Sequence, residues 1–424
     1  MEEASIACGE YDWSHAGQKS GLKDLLKLKT VLLFLSHRIP YPPNKGDKIR
    51  SFHLLKYLSE NYRIFLGAFI DDPSDWQYTE KLSEWCEQTC FLGLHPKLGK
   101  FRSLRGFLSG EPLSLPYYYD SNMAAWVSQA MTQGVGNILI FSSAMAQYVK
   151  DERFNNINKI IDFVDVDSDK WRQYAEKKNW PMNWVYNREA RKLLNYEREI
   201  ATLFTASLLV SSAEANLFKE LAPESAGKIT YCSNGVDIAE FDPAISFSNP
   251  FMDSGPHIVF TGAMDYWPNE DAVVWFVNEV LPAARIKWPT LKFHIVGSRP
   301  TEKVKSLRKE SGVDVTGRVP DVRPYLHSAT AVIAPMRIAR GIQNKVLEAM
   351  AMAKPVIVSP MGLEGIDAEH GKEVFIASEA ADYIESLSQV ISGESSHIGI
   401  HARSKIVSDF SWENTLPKLD QWLI

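Results

Sequence analysis

Short, largely apolar runs separated by stretches of helical spacing constrain this chain more than any other feature. Val31-Leu32-Leu33-Phe34-Leu35-Ser36 is the first of them. A strand apolar at consecutive positions has both faces buried, as happens in parallel sheets covered by helices on each side. Further runs fall at Arg63–Phe69, Ile138–Ser142, Lys159–Val164 and Leu208–Ser211, then at His257–Thr261, Leu291–Val296, Ala331–Ala334, Val356–Ser359 and Val374–Ile376. Helical patterns lie between them. Asp47–Asn61 carries Ile49, Phe52, Leu55 and Leu58 at helical spacing, and others cover Trp184–Phe204, Glu270–Lys287, Thr301–Ser311, Ile342–Met352 and Ala380–Ile391. The alternation predicts an α/β fold with doubly wound parallel sheets.

A chain of 424 residues is too long for one ordinary core and predicts two domains. Periodicity lapses between Ala239 and Asp253, where Pro243, Ser246, Ser248, Asn249 and Pro250 accumulate, so the joint belongs there. The expected organisation is a flexible leader (1–29), a first domain (30–245), a second domain (246–410) and a last helix (411–424) that crosses back to the first. Hydrophobic residues make up 45% and charged residues 23%, a globular composition, and the net charge of −6 argues against a nucleic-acid partner. Cys8, Cys86, Cys90 and Cys232 lack the spacing of a disulfide framework or a paired zinc motif and read as reduced thiols of a cytoplasmic protein. No apolar run approaches the roughly 20 residues of a membrane span, and the polar start Met1-Glu2-Glu3 is unlike a signal peptide.

The stretch from Gly341 to Ser359 joins a glycine turn, a short helix and a β-run opened by Pro355. Lys345 and Glu348 share one face in the first turns of that helix, where unpaired backbone N–H groups favour anions. A phosphate and a sugar hydroxyl can both be held there; alternatively the two are solvated charges on an amphipathic crossover helix. In the first domain the loop Pro40–Arg50 follows a strand and opens a helix, so Gly46 lets backbone N–H groups approach a phosphate or sugar. Asp47 is either a ligand contact or the helix N-cap, and His37 and Arg50 are candidates for acceptor or phosphate contact. Asp162, Asp165, Asp167 and Asp169 form a carboxylate row. Such a row serves a divalent metal, the orientation of an acceptor hydroxyl by Asp162 or Asp165, or a helix cap.

The Gly341–Ser359 segment closely resembles the donor-binding helix of retaining, nucleotide-sugar-dependent glycosyltransferases of the GT-B fold, family 4 type. Ser233-Asn234-Gly235-Val236-Asp237, Phe260–Asn269 and Val315–Val322 resemble that family's further motifs in the same order. The resemblance implies two Rossmann-like domains facing a central cleft, and transfer of a sugar from a nucleotide diphosphate sugar to a saccharide or lipid-linked acceptor. It implies no cofactor beyond the donor substrate and no metal. By resemblance Glu348 grips the nucleotide ribose, with Gly341, Gly262, Asp265 and Asn344 also at the donor and Gly46 and Arg50 on the first domain. Lys345, Arg318 and Arg340 act on the diphosphate and Asp165 on the acceptor. Two departures stand out. Arg340 occupies the place of the family's first glutamate, and Ala263 and Asn269 replace its usual Arg and Lys, so the missing positive charge is expected from Arg318, Arg337, Arg340 and Lys345. Pro40–Pro43, Asp165–Trp171 and Gly341–Lys345 further resemble transferases of bacterial exosortase and exopolysaccharide clusters. The same fold also serves nucleotide-sugar epimerases and degenerate, non-catalytic binding proteins.

One more segment stands apart. Between Lys97 and Leu108, Leu98, Phe101, Leu104, Phe107 and Leu108 recur near helical spacing among Lys97, Lys100, Arg102 and Arg105. Either this is an amphipathic helix on the inner face of an anionic membrane, delivering a lipid-linked acceptor, or a core helix with snorkelling basic residues. Gly99 and Gly106 weaken the helix in both cases.

Overall fold

The computed structural model describes residues 29–339 and 341–423, so the leader up to residue 28, with Cys8, and also Arg340, lie outside the described residues. The chain divides into two units: one runs to Cys232 and resumes at Leu416, the other is Ser233–Thr415.

The first unit holds seven parallel strands, β1 (Val31–Ser36), β2 (Arg63–Ile70), β3 (Gln88–Gly93), β4 (Val135–Phe141), β5 (Asn158–Val164), β6 (Ala206–Leu209) and β7 (Ile229–Tyr231), in the order β3-β2-β1-β4-β5-β6-β7. Leu33 and Leu35 enter a core with Phe65, Ile138, Ile140 and Phe204, while Leu32 and Phe34, which point the other way along the pleat, are equally buried. Helices therefore cover both faces of β1, as its lack of alternation requires. The edge strands β3 and β7 carry no continuous apolar run and were not legible; Gln88 and Thr89 are only half-buried and Tyr231 is exposed. The expected last helix is instead one short turn of α-helix, Trp412–Thr415, followed by 3-10 turns over Leu416–Trp422 that contain Pro417, a residue with no N–H to continue a ladder. Those turns fold into the first unit: the Trp422 carbonyl accepts from Asn158 Nδ2 (2.6 Å) and Asp420 from Tyr57 Oη (2.7 Å).

The second unit holds six parallel strands, β8 (His257–Thr261), β9 (Lys292–Val296), β10 (Val313–Gly317), β11 (Ala331–Ala334), β12 (Val356–Val358) and β13 (Phe375–Ile376), ordered β10-β9-β8-β11-β12-β13. Ile258, Phe260 and Ile333 face one core, and Val259, Val332 and Ala334 the other. The helix expected over Glu270–Lys287 divides into Trp267–Trp275, a π turn at Phe276–Val280, and Leu281–Lys287 with Pro282 in its first turn. At the carboxyl edge of the sheet the loops after β8, β9 and β10 are laced together: Gly262 N donates to Val296 O (3.0 Å), Met264 N to Ser298 O (2.8 Å) and Gly297 N to Gly317 O (3.2 Å). Gly297 is required there, because a Cβ would stand 1.6 Å from the Gly262 carbonyl oxygen. Among the described residues no helix is long and apolar enough to cross a membrane.

Candidate functional site

In each sheet the strand order turns at the first strand, β1 between β2 and β4 and β8 between β9 and β11. Ligands of open α/β sheets settle beyond the carboxyl ends of the strands at such a turning point, and the charged groups of the second unit gather there. The loop after β8 enters the Trp267–Trp275 helix, whose first turn contributes Asn269. This buried amide donates through Nδ2 to Ala263 O (2.9 Å) and accepts through Oδ1 from Lys345 Nζ (2.5 Å). Lys345 projects from the first turn of the Asn344–Ala351 helix and lies over the Phe260 ring, 4.4 Å from its centroid.

Lys345 and Glu348 are both half-buried. Burial pushes the Lys345 ammonium down to about 7 against the pull of Glu348. It pushes the Glu348 carboxyl up to about 7, with Glu240 adding to the rise and Lys345 opposing it. They are thus not two solvated charges on an outer helix face. Opposed displacements of this kind concentrate at functional sites.

The remaining second-unit candidates spread over the same edge. Gly341 turns the chain into the helix with φ of +63°, and Asn344, at the helix head, accepts from Asn234 Nδ2 (3.0 Å), tying in the Ser233–Asp237 motif. Gly262 leaves room for Asn269, whose Nδ2 would be 2.7 Å from a Cβ there. Asp265 pairs with Arg299 (3.2 Å), an exposed residue of the loop after β9. Arg299 belongs to no motif, and only the lacing of the loops brings it to this edge. Arg318, directly after β10, is exposed. Arg337 is corrected: its guanidinium grips Asp271 with two hydrogen bonds (2.7 and 2.9 Å) and does not stand ready as a counter-charge.

In the first unit a pocket of about 280 Å³ opens at the carboxyl ends of β1 and β4, lined among others by His37, Tyr118, Ser142, Asp167, Lys170 and Trp171. His37 stacks on Phe141 (5.8 Å between centroids), and its Nδ1 has no hydrogen-bond partner among the described residues. Asp47 is not the N-cap of the Gly46–Ser59 helix, a place taken by Lys45. Its carboxylate is bound to Arg38 and lies 3.4 Å from His37 Nε2; despite burial these partners hold it well below the usual carboxylate range. The helix start at exposed Gly46 therefore already carries an anion of its own.

Arg50 is a second correction. It is 1% exposed, with Nε 2.7 Å from the fully buried Asp162, and so ties its helix to β5 without being presented to a ligand. A buried guanidinium needs such a partner. The carboxylate row does not converge. Asp162 belongs to that buried pair, Lys170 binds Asp165 (2.7 Å) and Asp167 (3.1 Å), and Asp169 binds Arg172 (2.8 Å). Among the described residues no group of three or more His, Cys, Asp or Glu side chains is placed to hold a metal ion.

Two Rossmann-like parallel-sheet domains of seven and six strands define the GT-B fold of glycosyltransferases. Residues 255–392 match the family described as Glycosyl transferases group 1, so the second unit carries a domain of that family. Solved structures of the same fold include sucrose-phosphate synthase from Thermosynechococcus elongatus (16% identity, 93% of this chain and 98% of that one, TM-score 0.67). A glycosyltransferase from Rickettsia africae ESF-5 is similar at 15% identity, over 93% of this chain and 98% of that one, with a TM-score of 0.64. Anabaena Alr3699/HepE in complex with UDP and glucose is similar at 16% identity, over 92% and 98% of the chains, with a TM-score of 0.64. A stretch of 148 residues is 24% identical to an uncharacterized 44.6 kDa protein in the cps region of Klebsiella pneumoniae. That match takes in 32% of this chain and only 38% of the length of the relative.

Proposed function

We propose that the protein transfers a sugar, with retention, from a nucleoside diphosphate sugar to a saccharide or lipid-linked acceptor in the assembly of an exopolysaccharide or cell-envelope glycan. The observation that carries this reading is the half-buried pair Lys345 and Glu348, the lysine held by Asn269, at the carboxyl edge of the second sheet. Glu348 accepts hydrogen bonds from the ribose hydroxyls. Lys345 and the N–H groups at the head of its helix face the diphosphate, whose charge favours the ammonium form that burial disfavours. Charge that develops on the leaving diphosphate is then neutralised by side chains and a helix terminus, without a metal. Retention follows if the acceptor attacks from the face the diphosphate leaves, with the leaving phosphate taking the acceptor proton.

The first-unit pocket suits the acceptor. Trp171 and Tyr174 offer aromatic faces to a sugar ring, and Asp167, beside the Asp165–Lys170 pair, offers an acceptor for a hydroxyl. The complexes of Anabaena Alr3699/HepE with UDP and with UDP-glucose make UDP the first nucleotide to try, and the cps-region relative points to surface polysaccharide. Thermal unfolding tests the donor: a cognate nucleoside diphosphate at about a hundred times its dissociation constant stabilises the fold by about 2.7 kcal/mol. If UDP, GDP, ADP and their sugars all leave the melting temperature unchanged at millimolar concentration, the reading is overturned.

A separate expectation concerns the diphosphate clamp. With Arg337 held by Asp271 and Arg299 by Asp265, the positive charge beside Lys345 falls to Arg318 and Arg340. Each single change to Ala is expected to lower kcat/KM more than twofold, and rates within about twofold (about 0.4 kcal/mol of barrier) would remove that arginine from the clamp.

A further inference from the structure

We infer that one face of the first unit docks on an anionic lipid surface. The segment Pro96–Ser109 folds as two short helices, Pro96–Ser103 and Arg105–Ser109, turned inside out relative to an ordinary surface helix. Its glycines face inward. Gly99 is buried against Tyr117, where a Cβ would stand 2.6 Å from the ring, and the carbonyl of buried Gly106 accepts from the Arg188 guanidinium. Its large apolar residues face out: Leu98 is 60% exposed, Phe101 74%, Leu104 54% and Leu108 92%.

A distant stretch completes the patch. Trp180 is 83% exposed and Trp184 54%, and the Trp184 ring stacks on Phe107 with centroids 6.2 Å apart. Arg188 lies over the other aromatic partner of that stack, 4.8 Å from the Phe107 centroid. Exposed apolar surface of this extent marks an interaction site, and tryptophan at its rim suits the boundary between lipid and water.

Charge identifies the occupant. No Asp or Glu occurs between Glu87 and Glu111 or between Glu176 and Glu189 in a chain of net charge −6. Lys97, Lys100, Arg105 and Lys178 are exposed within these two acid-free stretches. A second copy of this chain would set the same basic groups against one another across a two-fold interface, whereas anionic headgroups complement them and a hydrocarbon surface accepts Leu98, Phe101 and Leu108. The helix that carries Trp184, Met182–Leu203, also supplies Leu193 to the first-unit pocket, so patch and pocket share one element. Docking itself does not depend on the donor-site reading.

Co-sedimentation with vesicles tests the inference. Binding is expected to phosphatidylglycerol–phosphatidylcholine vesicles at low salt, not to phosphatidylcholine alone, and to weaken at 0.5 M salt. Each basic residue adds about fivefold near such a surface, so the triple variant Lys97→Gln, Lys100→Gln, Arg105→Gln should lose on the order of 100-fold. Phe101→Ser with Leu108→Ser should also release the protein, at an unchanged melting temperature because both side chains already face solvent. No binding to anionic vesicles, or binding unchanged in the triple variant, overturns the inference. Sedimentation velocity showing a dimer that Phe101→Ser with Leu108→Ser converts to monomer overturns it in favour of self-association. Glu348→Ala is expected to bind vesicles like the parent protein, so a failure of the donor site would leave this result standing.

Discussion

Lys345→Ala is expected to lower kcat by about 10²- to 10³-fold, the loss of about 2.7–4 kcal/mol that follows removal of one preorganised group aimed at developing charge. The amine is fixed between Asn269 Oδ1 at 2.5 Å and the Phe260 ring at 4.4 Å, so its position is set before a diphosphate arrives. Being half-buried, it acts where charges are poorly screened. Removal also takes the donor from buried Asn269 Oδ1, so the ligand-free fold is expected to lose about 1–3 kcal/mol while remaining folded. The expected signature is therefore a folded protein with a modestly lower melting temperature, nucleoside affinity within a few-fold, and turnover at saturating donor sharply reduced. Steady-state release of nucleoside diphosphate measures it; parental kcat in a folded Lys345→Ala protein removes Lys345 from the mechanism.

For Glu348→Ala the loss falls on binding. A carboxylate that accepts from hydroxyls contributes about 1.5–3 kcal/mol, so donor affinity should weaken by about 10- to 150-fold in calorimetric titration. Unchanged affinity with intact fold sinks the assignment. The pH dependence carries a second mark. With the Glu348 carboxyl raised to about 7 and the Lys345 ammonium lowered to about 7, kcat/KM should peak near neutrality: below it the carboxyl gains a proton, above it the ammonium loses one. The limbs belong to the pair, since the two groups interact. Glu348→Gln should flatten the acid limb and spare the alkaline one. Stability runs in the opposite direction over the acid limb. A carboxyl that binds its proton more tightly folded than unfolded makes the fold less stable as pH rises from about 4.5 to about 7, a slope that Glu348→Gln should reduce in urea titrations.

The class of the fold was legible because β1, β11 and β12 are apolar along nearly their whole length, and only a sheet covered on both faces accommodates such runs. The edge strands β3, β7 and β10 were not, since an edge is partly wet and needs no such run. At the second-unit site, local spacing placed Lys345 and Glu348 on one helix, but the bond from Lys345 to Asn269 spans 76 positions and exists only because β8 ends, and the Asn344–Ala351 helix begins, at the same sheet edge. Arg299 carried no signal for the same reason. Arg50 shows the converse: a basic residue after a glycine loop reads as a ligand contact, yet helix packing turns it inward onto Asp162.

The Pro96–Ser109 segment marks the boundary most clearly. Its periodicity, basic charge and glycines are properties of the local chain and were read from it. Periodicity states that a helix has two unlike faces and is silent on which one meets the interior. That choice was made by Tyr117 closing over Gly99 and by Arg188 reaching the carbonyl of Gly106, contacts between residues brought together only by the tertiary fold. They left Phe101 and Leu108 facing outward.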